Sequence, residues 1–399
     1  MARVLCAWEF GGDQGHLRRL LPIARELRAM GHEVVFAFRD LYALGARPLE
    51  GFEWFPAPLL QPPATPNRSP LNASDILLNL GYQDSAGLAG ALRAWQGLFA
   101  LWRADIVACD YAPTALLAAR ASRLKRLSLG SGFSMPAPSE PLAALRDWIP
   151  TEQGALERID RRLLGHVAEA LGALHARMPA APRAAHEIFS ADTQLLCTFA
   201  EIDPFGPRPG AEYLGAVSET AGVPMRWEAR AGARLFAYLK PRDSRFSALI
   251  QALGELPGQA IVAAPGLSAE GAAKLSSAHV RVLGESVDLQ ALLPTADLCL
   301  CHAGTGLVSR ALLAGVPLAL LPMQLEQYLI ARRLAAGGTA ALLSPEERSP
   351  DFASWFATLL EQDDMRRAAR AFADTHRDHS FELAAANAAR RIVAALEHQ

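Results

Sequence analysis

The chain has 399 residues, 51% of them hydrophobic and 20% charged, with a formal net charge of -2. That length suits two domains of roughly 200 residues each, and the apolar content excludes a disordered chain. The near-neutral charge removes the electrostatic case for nucleic acid or a membrane surface, so partners are expected to be small or neutral molecules.

Five cysteines, Cys6, Cys109, Cys197, Cys299 and Cys301, all fall inside apolar runs. Without C-x-x-C spacing or a histidine cluster they read as reduced core thiols, and no metal site is expected. The opening MARVLCAW is too short an apolar run for a signal peptide, and no apolar segment reaches the ~18 residues of a membrane span. A cytoplasmic protein is the expectation.

In chain order, Arg3 to Trp8 reads as a buried strand and Leu17, Leu20, Leu21, Ala24 and Leu27 mark one face of a helix ending at Gly31. Glu33 to Phe38 then completes a βαβ unit. His16 sits at the first turn of its helix, near the carboxyl end of the first strand, where open parallel sheets bind ligands; a plain capping or solvated histidine is the alternative. Residues 56–84, rich in proline, asparagine and serine, read as a long loop or short irregular pieces. Asp105 to Asp110 is a strand finishing on a carboxylate, followed by a short helix from Pro113 to Ala121. Asp110 either caps that helix or orients another side chain. A strand at Leu127 to Gly132, a helical stretch from about Glu152 to Met178, and short strands at Gln194 to Thr198 and Tyr213 to Leu214 follow. Residues 215–233 lack periodicity and read as an interdomain linker.

The alternation then restarts. Strands are expected at Leu235 to Leu239, Ala260 to Ala264 and Val280 to Leu283, with helices at Phe246 to Leu253 and Leu289 to Leu293. The stretch from Ala296 to Ala331 carries most of the information. Leu298 to Cys301 is a strand that ends at His302-Ala303-Gly304-Thr305-Gly306, a helix opens, Gly315-Val316-Pro317 stops it, and Leu318 to Leu321 is a second strand closed by Pro322. Strand, glycine turn and helix place unpaired amides and the positive end of a helix dipole outward, which suits a phosphate. Glu326 and Gln327 open the next helix beside the same crevice. Helices at roughly 350–375 and 380–397 end the pattern. Alternation in both halves argues an α/β protein of two Rossmann-like domains facing across a cleft.

The stretch from His302 to Gln327 resembles the donor-binding motif of the family 1 (UGT-like) glycosyltransferases, especially their macrolide branch. There the pattern runs His-(Gly/Ala)-Gly-x-Gly-(Ser/Thr)-x-x-Glu, then Gly-Val-Pro, an apolar strand, Pro and (Asp/Glu)-Gln. His302, Gly304, Gly306, Gly315-Val316-Pro317, Pro322 and Glu326-Gln327 fall in step with it. The resemblance implies the GT-B architecture: an acceptor-binding domain at 1–215, a linker at 216–233, a donor-binding domain at 234–379, and a helix at 380–399 returning to the first domain. It implies His16 as general base, Asp110 as its orienter, and a diphosphate held by His302, Gly304, Thr305 and Gly306. Glu326 and Gln327 would bind sugar hydroxyls.

The implied activity is inverting, metal-independent transfer of a sugar from a nucleotide diphosphate donor to a hydroxyl of a small, natural-product-like acceptor, with no cofactor beyond that co-substrate. Four positions depart from the family pattern. Lys240-Pro241 replaces a terminal Gly-Ser, Ser286 falls where a base-stacking Trp is usual, Leu307 takes the Ser/Thr position, and Arg310 stands where a Glu receives the ribose hydroxyls. Because arginine cannot accept those hydrogen bonds, a dTDP-deoxysugar donor is expected beside a UDP-sugar. A GT-B sugar-nucleotide epimerase and a non-catalytic sugar-nucleotide-binding partner are the other readings. Neither acceptor nor oligomeric state is written in the sequence.

Overall fold

The structure is a computed structural model describing residues 1–12, 14–40, 49–66, 69–174, 181–219, 222–229, 231–343 and 351–397. The chain divides into two compact units. Unit 1 comprises Met1–Cys197, Arg208–Val217 and Phe381–Gln399, and unit 2 comprises Thr198–Pro207 and Ser218–Ser380.

Unit 1 holds six parallel strands in the order β3-β2-β1-β4-β5-β6. They are β1 (Arg3–Trp8), β2 (Glu33–Phe38), β3 (Glu53–Pro56), β4 (Ile106–Asp110), β5 (Lys125–Gly130) and β6 (Thr193–Leu196). The helices are α1 (Gly15–Ala29), α2 (Ala73–Leu77), α3 (Ser85–Trp102), α4 (Pro113–Ser122), α5 (Ala155–Gly172) and, from the far end of the chain, α12 (Phe381–Glu397). A parallel strand is buried on both faces, which is why β1, β2 and β4 are apolar at nearly every position. Leu5, Ala7, Val35, Ala37 and Val107 pack on one face with Leu92 and Trp95 of α3, Leu116 of α4 and Leu163 of α5. Val4, Cys6, Trp8, Phe36 and Ile106 pack on the other with Leu20 and Ile23 of α1 and Ala388, Ala389 and Ile392 of α12.

Unit 2 repeats the plan with the order β12-β11-β10-β7-β8-β9, all parallel. Its strands are β7 (Ala233–Tyr238), β8 (Gly258–Ala263), β9 (Val280–Leu283), β10 (Leu298–Cys301), β11 (Leu318–Leu320) and β12 (Ala340–Leu342). Its helices are α6 (Phe246–Glu255), α7 (Ala269–Leu275), α8 (Thr305–Leu313), α9 (Leu325–Ala336), α10 (Phe352–Leu360) and α11 (Asp363–Thr375). In each sheet the chain reverses its direction of winding between the two central strands, β1 and β4 or β7 and β10.

Several expectations change here. Residues 56–84 are not irregular throughout: α2 and a π-helical turn at Leu78–Tyr82 occupy their second half. Asn72 caps α2 by accepting from the Asp75 N–H at 3.0 Å, and its amide donates to the buried Asp160 carboxylate at 2.8 Å. Those polar residues signal a cap rather than a loop. The helix expected to reach Met178 is α5, which ends at Gly172; residues 175–178 lie outside the described residues. The helix expected at Leu289 to Leu293 is a 3-10 turn at Leu293–Thr295. Thr198–Pro207, assigned from sequence to the first domain, groups with unit 2 because Phe199 packs on Phe372 and His376 of that unit. The stretch expected to be a linker is fastened to unit 2, where Val223 bridges to Val287 and the Trp227 indole donates to the Leu292 carbonyl at 3.0 Å.

Glu9, just past β1, has no exposed surface, and one of its carboxyl oxygens accepts the Thr114 N–H at 2.9 Å. It caps α4 from another element, since Ala112 at the N-cap offers no side-chain bond. Its other oxygen has no partner, and burial pushes its pKa up to about 8. A carboxyl raised in the folded state contributes stability fully present below its unfolded pKa of about 4.3, lost as pH rises through the folded value. Glu9→Gln removes that dependence. The stability of Glu9→Gln relative to wild type is therefore expected to rise from pH 5 to 8, by no more than about 1.4 kcal/mol per pH unit, as read by urea denaturation at each pH. On α12, Ile392→Ala is expected to cost about 2–5 kcal/mol in the same assay, because the side chain fills the core between α1 and the sheet of unit 1.

Candidate functional site

The register Trp8↔Asp110 brings the carboxyl ends of β1 and β4 side by side at the switch point of unit 1. His16 stands on the first turn of α1 directly above them. Its Nδ1 lies 2.9 Å from Asp110 Oδ1, and its ring stacks on Trp8 with centroids 5.0 Å apart at 22°. Asp110 is 1% exposed. Burial by itself raises its pKa, yet the Arg19 guanidinium and His16 together hold the carboxyl below its usual range. An ionised carboxylate only accepts, so the proton between them belongs to His16 Nδ1. Gly11, at φ +84°, stands against the other ring nitrogen: a Cβ there would lie 2.6 Å from His16 Nε2. The turn after β4 puts Tyr111 at φ 51°, with its carbonyl accepting the Phe10 N–H at 2.9 Å. The arrangement is an imidazole tied through Nδ1 to a buried carboxylate, with Nε2 at the mouth of a glycine turn.

Sequence reasoning brought His16 and Asp110 together correctly as neighbours but missed Arg19. Its Nη1 donates to Asp110 Oδ2 at 2.6 Å, with the residue 6% exposed. The signal was present, since Arg19 lies three residues past His16 and therefore on the same helix face.

In unit 2, β10 ends beside β7 at the corresponding switch point. Gly304 is the N-cap of α8 with no side-chain cap and no acidic residue in the first turn, so the amides of Thr305, Gly306 and Leu307 form the positive end of the helix. Ala303, at φ 60°, makes the turn that presents them. A Cβ on Gly306 would meet Ser218 Oγ at 3.1 Å, and Arg310 Nη2 donates to the Ser218 carbonyl at 2.6 Å. The arginine thereby holds the 218 segment over the first turn of α8.

His302 departs from its expected part in gripping a diphosphate. It is 3% exposed, its Nε2 accepts the Lys240 N–H at 3.1 Å, and its Nδ1 lies 2.8 Å from the Leu321 carbonyl, to which it donates. Burial lowers its pKa, keeping the ring neutral. As placed, neither nitrogen offers a proton to an anion; the ring ties together the chain leaving β7, β10 and β11. Asp243, also buried, lies 3.7 Å from His302 Nδ1 and is gripped by Arg245, which outweighs the effect of burial and holds its carboxyl below the usual range. Sequence reasoning missed this pair. Glu326 is half-buried in the first turn of α9, while Gln327 is buried and its carbonyl oxygen accepts the Met323 N–H at 2.9 Å, leaving its NH2 for any ligand. Among the described residues, no group of three or more histidine, cysteine or acidic side chains could hold a metal ion, and no helix is long and apolar enough to cross a membrane.

Solved structures share this fold over nearly the whole chain. The spinosyn rhamnosyltransferase SpnG complexed with thymidine diphosphate is 20% identical, at a TM-score of 0.65 over 96% of this chain and 98% of that one. Glycosyltransferase SsfS6 of Streptomyces sp. SF2575, also complexed with thymidine diphosphate, is 21% identical at 0.65 over 98% and 99%. Glycosyltransferase SnogD from Streptomyces nogalater is 21% identical at 0.63 over 99% and 100%. No curated protein sequence matches the chain. Residues 247–390 match the family "Erythromycin biosynthesis protein CIII-like, C-terminal domain", a span holding β10, α8, His302 and Gln327. The chain thus has the GT-B fold of these glycosyltransferases, and its residues 247–390 are similar to the erythromycin biosynthesis protein CIII-like C-terminal domain.

Proposed function

We propose that the protein is an inverting glycosyltransferase that moves a sugar from a nucleotide diphosphate donor to a hydroxyl of a small acceptor. The observation that carries the reading is the His16–Asp110 pair at the switch point of unit 1, with His16 Nδ1 2.9 Å from an Asp110 carboxyl held below its usual range. His16 Nε2 takes the proton of the acceptor hydroxyl as its oxygen attacks the anomeric carbon; Asp110 fixes the tautomer and stabilises the imidazolium that forms. The bond from the anomeric carbon to the diphosphate breaks on the opposite face, which inverts that carbon. The departing diphosphate falls to the first-turn amides of α8, whose dipole and N–H groups stabilise an anion without a metal. Glu326 and the Gln327 amide at the start of α9 bind sugar hydroxyls.

His16→Ala is expected to leave dTDP binding intact by calorimetry while transfer falls by about 10²-fold or more, the usual size for a positioned base. Transfer at the wild-type rate in that variant sinks the assignment. Binding of nucleotide by a wild-type protein that turns over no sugar nucleotide would favour the non-catalytic partner reading, which draws on the family positions replaced at Lys240, Ser286, Leu307 and Arg310.

The donor nucleotide follows from Arg310. Its guanidinium cannot accept a ribose hydroxyl, and UDP brings two where dTDP brings one. A buried hydroxyl left without an acceptor costs about 1–3 kcal/mol, so dTDP is expected to bind about tenfold more tightly than UDP. The thymidine diphosphate in SpnG and SsfS6 supports that choice. Parallel titrations of both nucleotides check it, and Arg310→Glu is expected to narrow the gap by supplying the missing acceptor. A wild-type preference for UDP would refute the deoxysugar-donor reading.

A further inference from the structure

Arg19 is a buried cation of unit 1 that the reaction outlined above does not use. It rises from α1 three residues after His16, is 6% exposed, and places Nη1 2.6 Å from Asp110 Oδ2, while His16 Nδ1 lies 2.9 Å from Asp110 Oδ1. The two carboxylate oxygens are thus divided between the base and a fixed positive charge.

The division has an electrostatic consequence. A histidine–aspartate pair alone carries one negative charge, which a proton on the imidazole neutralises; in a buried setting that favours the imidazolium and removes the base from service at neutral pH. With Arg19 present, the carboxylate is already neutralised, and a second proton would leave the group of three, two of them buried, with a net positive charge. Other titratable groups stand around it. Cys6 on β1, Cys109 on β4 and Cys197 after β6 are thiols that burial raises well above neutrality. Glu9 is raised to about 8 and caps α4, Arg39 follows β2, and Tyr111 follows β4. The charged groups of α12, which packs on α1, are exposed: Glu382, Arg390, Arg391 and Glu397.

We infer that Arg19 is a positioning residue for the transfer reaction, holding Asp110 in the orientation that receives His16 Nδ1–H and keeping His16 unprotonated and ready to act as base at neutral pH. The inference rests on the glycosyltransferase reading for its meaning, but its test does not need turnover. Among the ten histidines, the His16 Cε1–H signal is identified by its loss in His16→Gln, and its titration is followed by NMR in wild type, Arg19→Met, Arg19→Gln and Arg19→Lys. The neutral variants are expected to raise the His16 midpoint by about one pH unit or more, the usual effect of removing a nearby charge, and Arg19→Lys to leave it close to wild type. Arg19→Gln keeps a donor for Asp110 Oδ2, so it serves if Arg19→Met fails to fold. The acid limb of kcat/KM should move with the midpoint in the same variants. An unchanged His16 midpoint in a folded Arg19→Met or Arg19→Gln overturns the inference and leaves Arg19 a packing residue. A shifted midpoint in a protein that transfers no sugar upholds it while the glycosyltransferase reading falls.

Discussion

Asp110 places an ionised carboxylate where almost no water reaches it, and unit 1 is arranged around the need to satisfy that charge. The parallel register of β1 and β4 delivers the group to the sheet's switch point, and the first two turns of α1 must then present both a histidine and an arginine to it. Removing one partner of such a buried pair costs about 3–5 kcal/mol, so the entry of α1 over the sheet is as much an electrostatic requirement as a packing one. The Trp8 ring beneath His16 and the glycine turn beside its Nε2 complete the fit.

The two units solve the same topological problem with opposite charge. Unit 1 ends its central strand on a carboxylate and places a histidine above it; unit 2 follows its central strand with a buried histidine and presents the bare amides of a helix. In both, the residue immediately after the site side chain, Tyr111 or Ala303, takes a left-handed backbone conformation that a side chain adopts at some cost. That recurrence marks the two turns as places where geometry is held by the rest of the unit rather than chosen locally.

Much of this was legible in the sequence, and the exceptions have physical reasons. Parallel strands buried on both faces read as unbroken apolar runs, so β1, β2, β4, β10 and β11 stand out, as does the glycine turn before α8. His16 and Asp110 could be paired because each closes or follows a central strand. Arg19 could not be weighed from the sequence alone, because a basic residue on a helix is ordinarily solvated and only the fold buries this one. His302 was read as a ligand group since its position faces the crevice, whereas its hydrogen bonds to the Lys240 amide and the Leu321 carbonyl depend on loops whose course no pattern reveals. The polar stretch before α3 misled for a related reason: Asn72 and Ser74 serve a helix cap and the buried Asp160, and composition does not separate that use from a loop.

The placement of α12 bears on how the chain is made. Helix α12 covers one face of the unit 1 sheet with Ala384, Ala385, Ala388, Ala389 and Ile392, although it follows the whole of unit 2 in sequence. At a synthesis rate of about 5–20 residues per second, the nascent unit 1 waits on the order of ten to forty seconds before its last helix leaves the ribosome. During that interval the apolar side chains of α1 that will meet α12 have only solvent or a chaperone to cover them. Unit 2, whose elements lie within one stretch apart from Thr198–Pro207, can close while unit 1 is still unfinished.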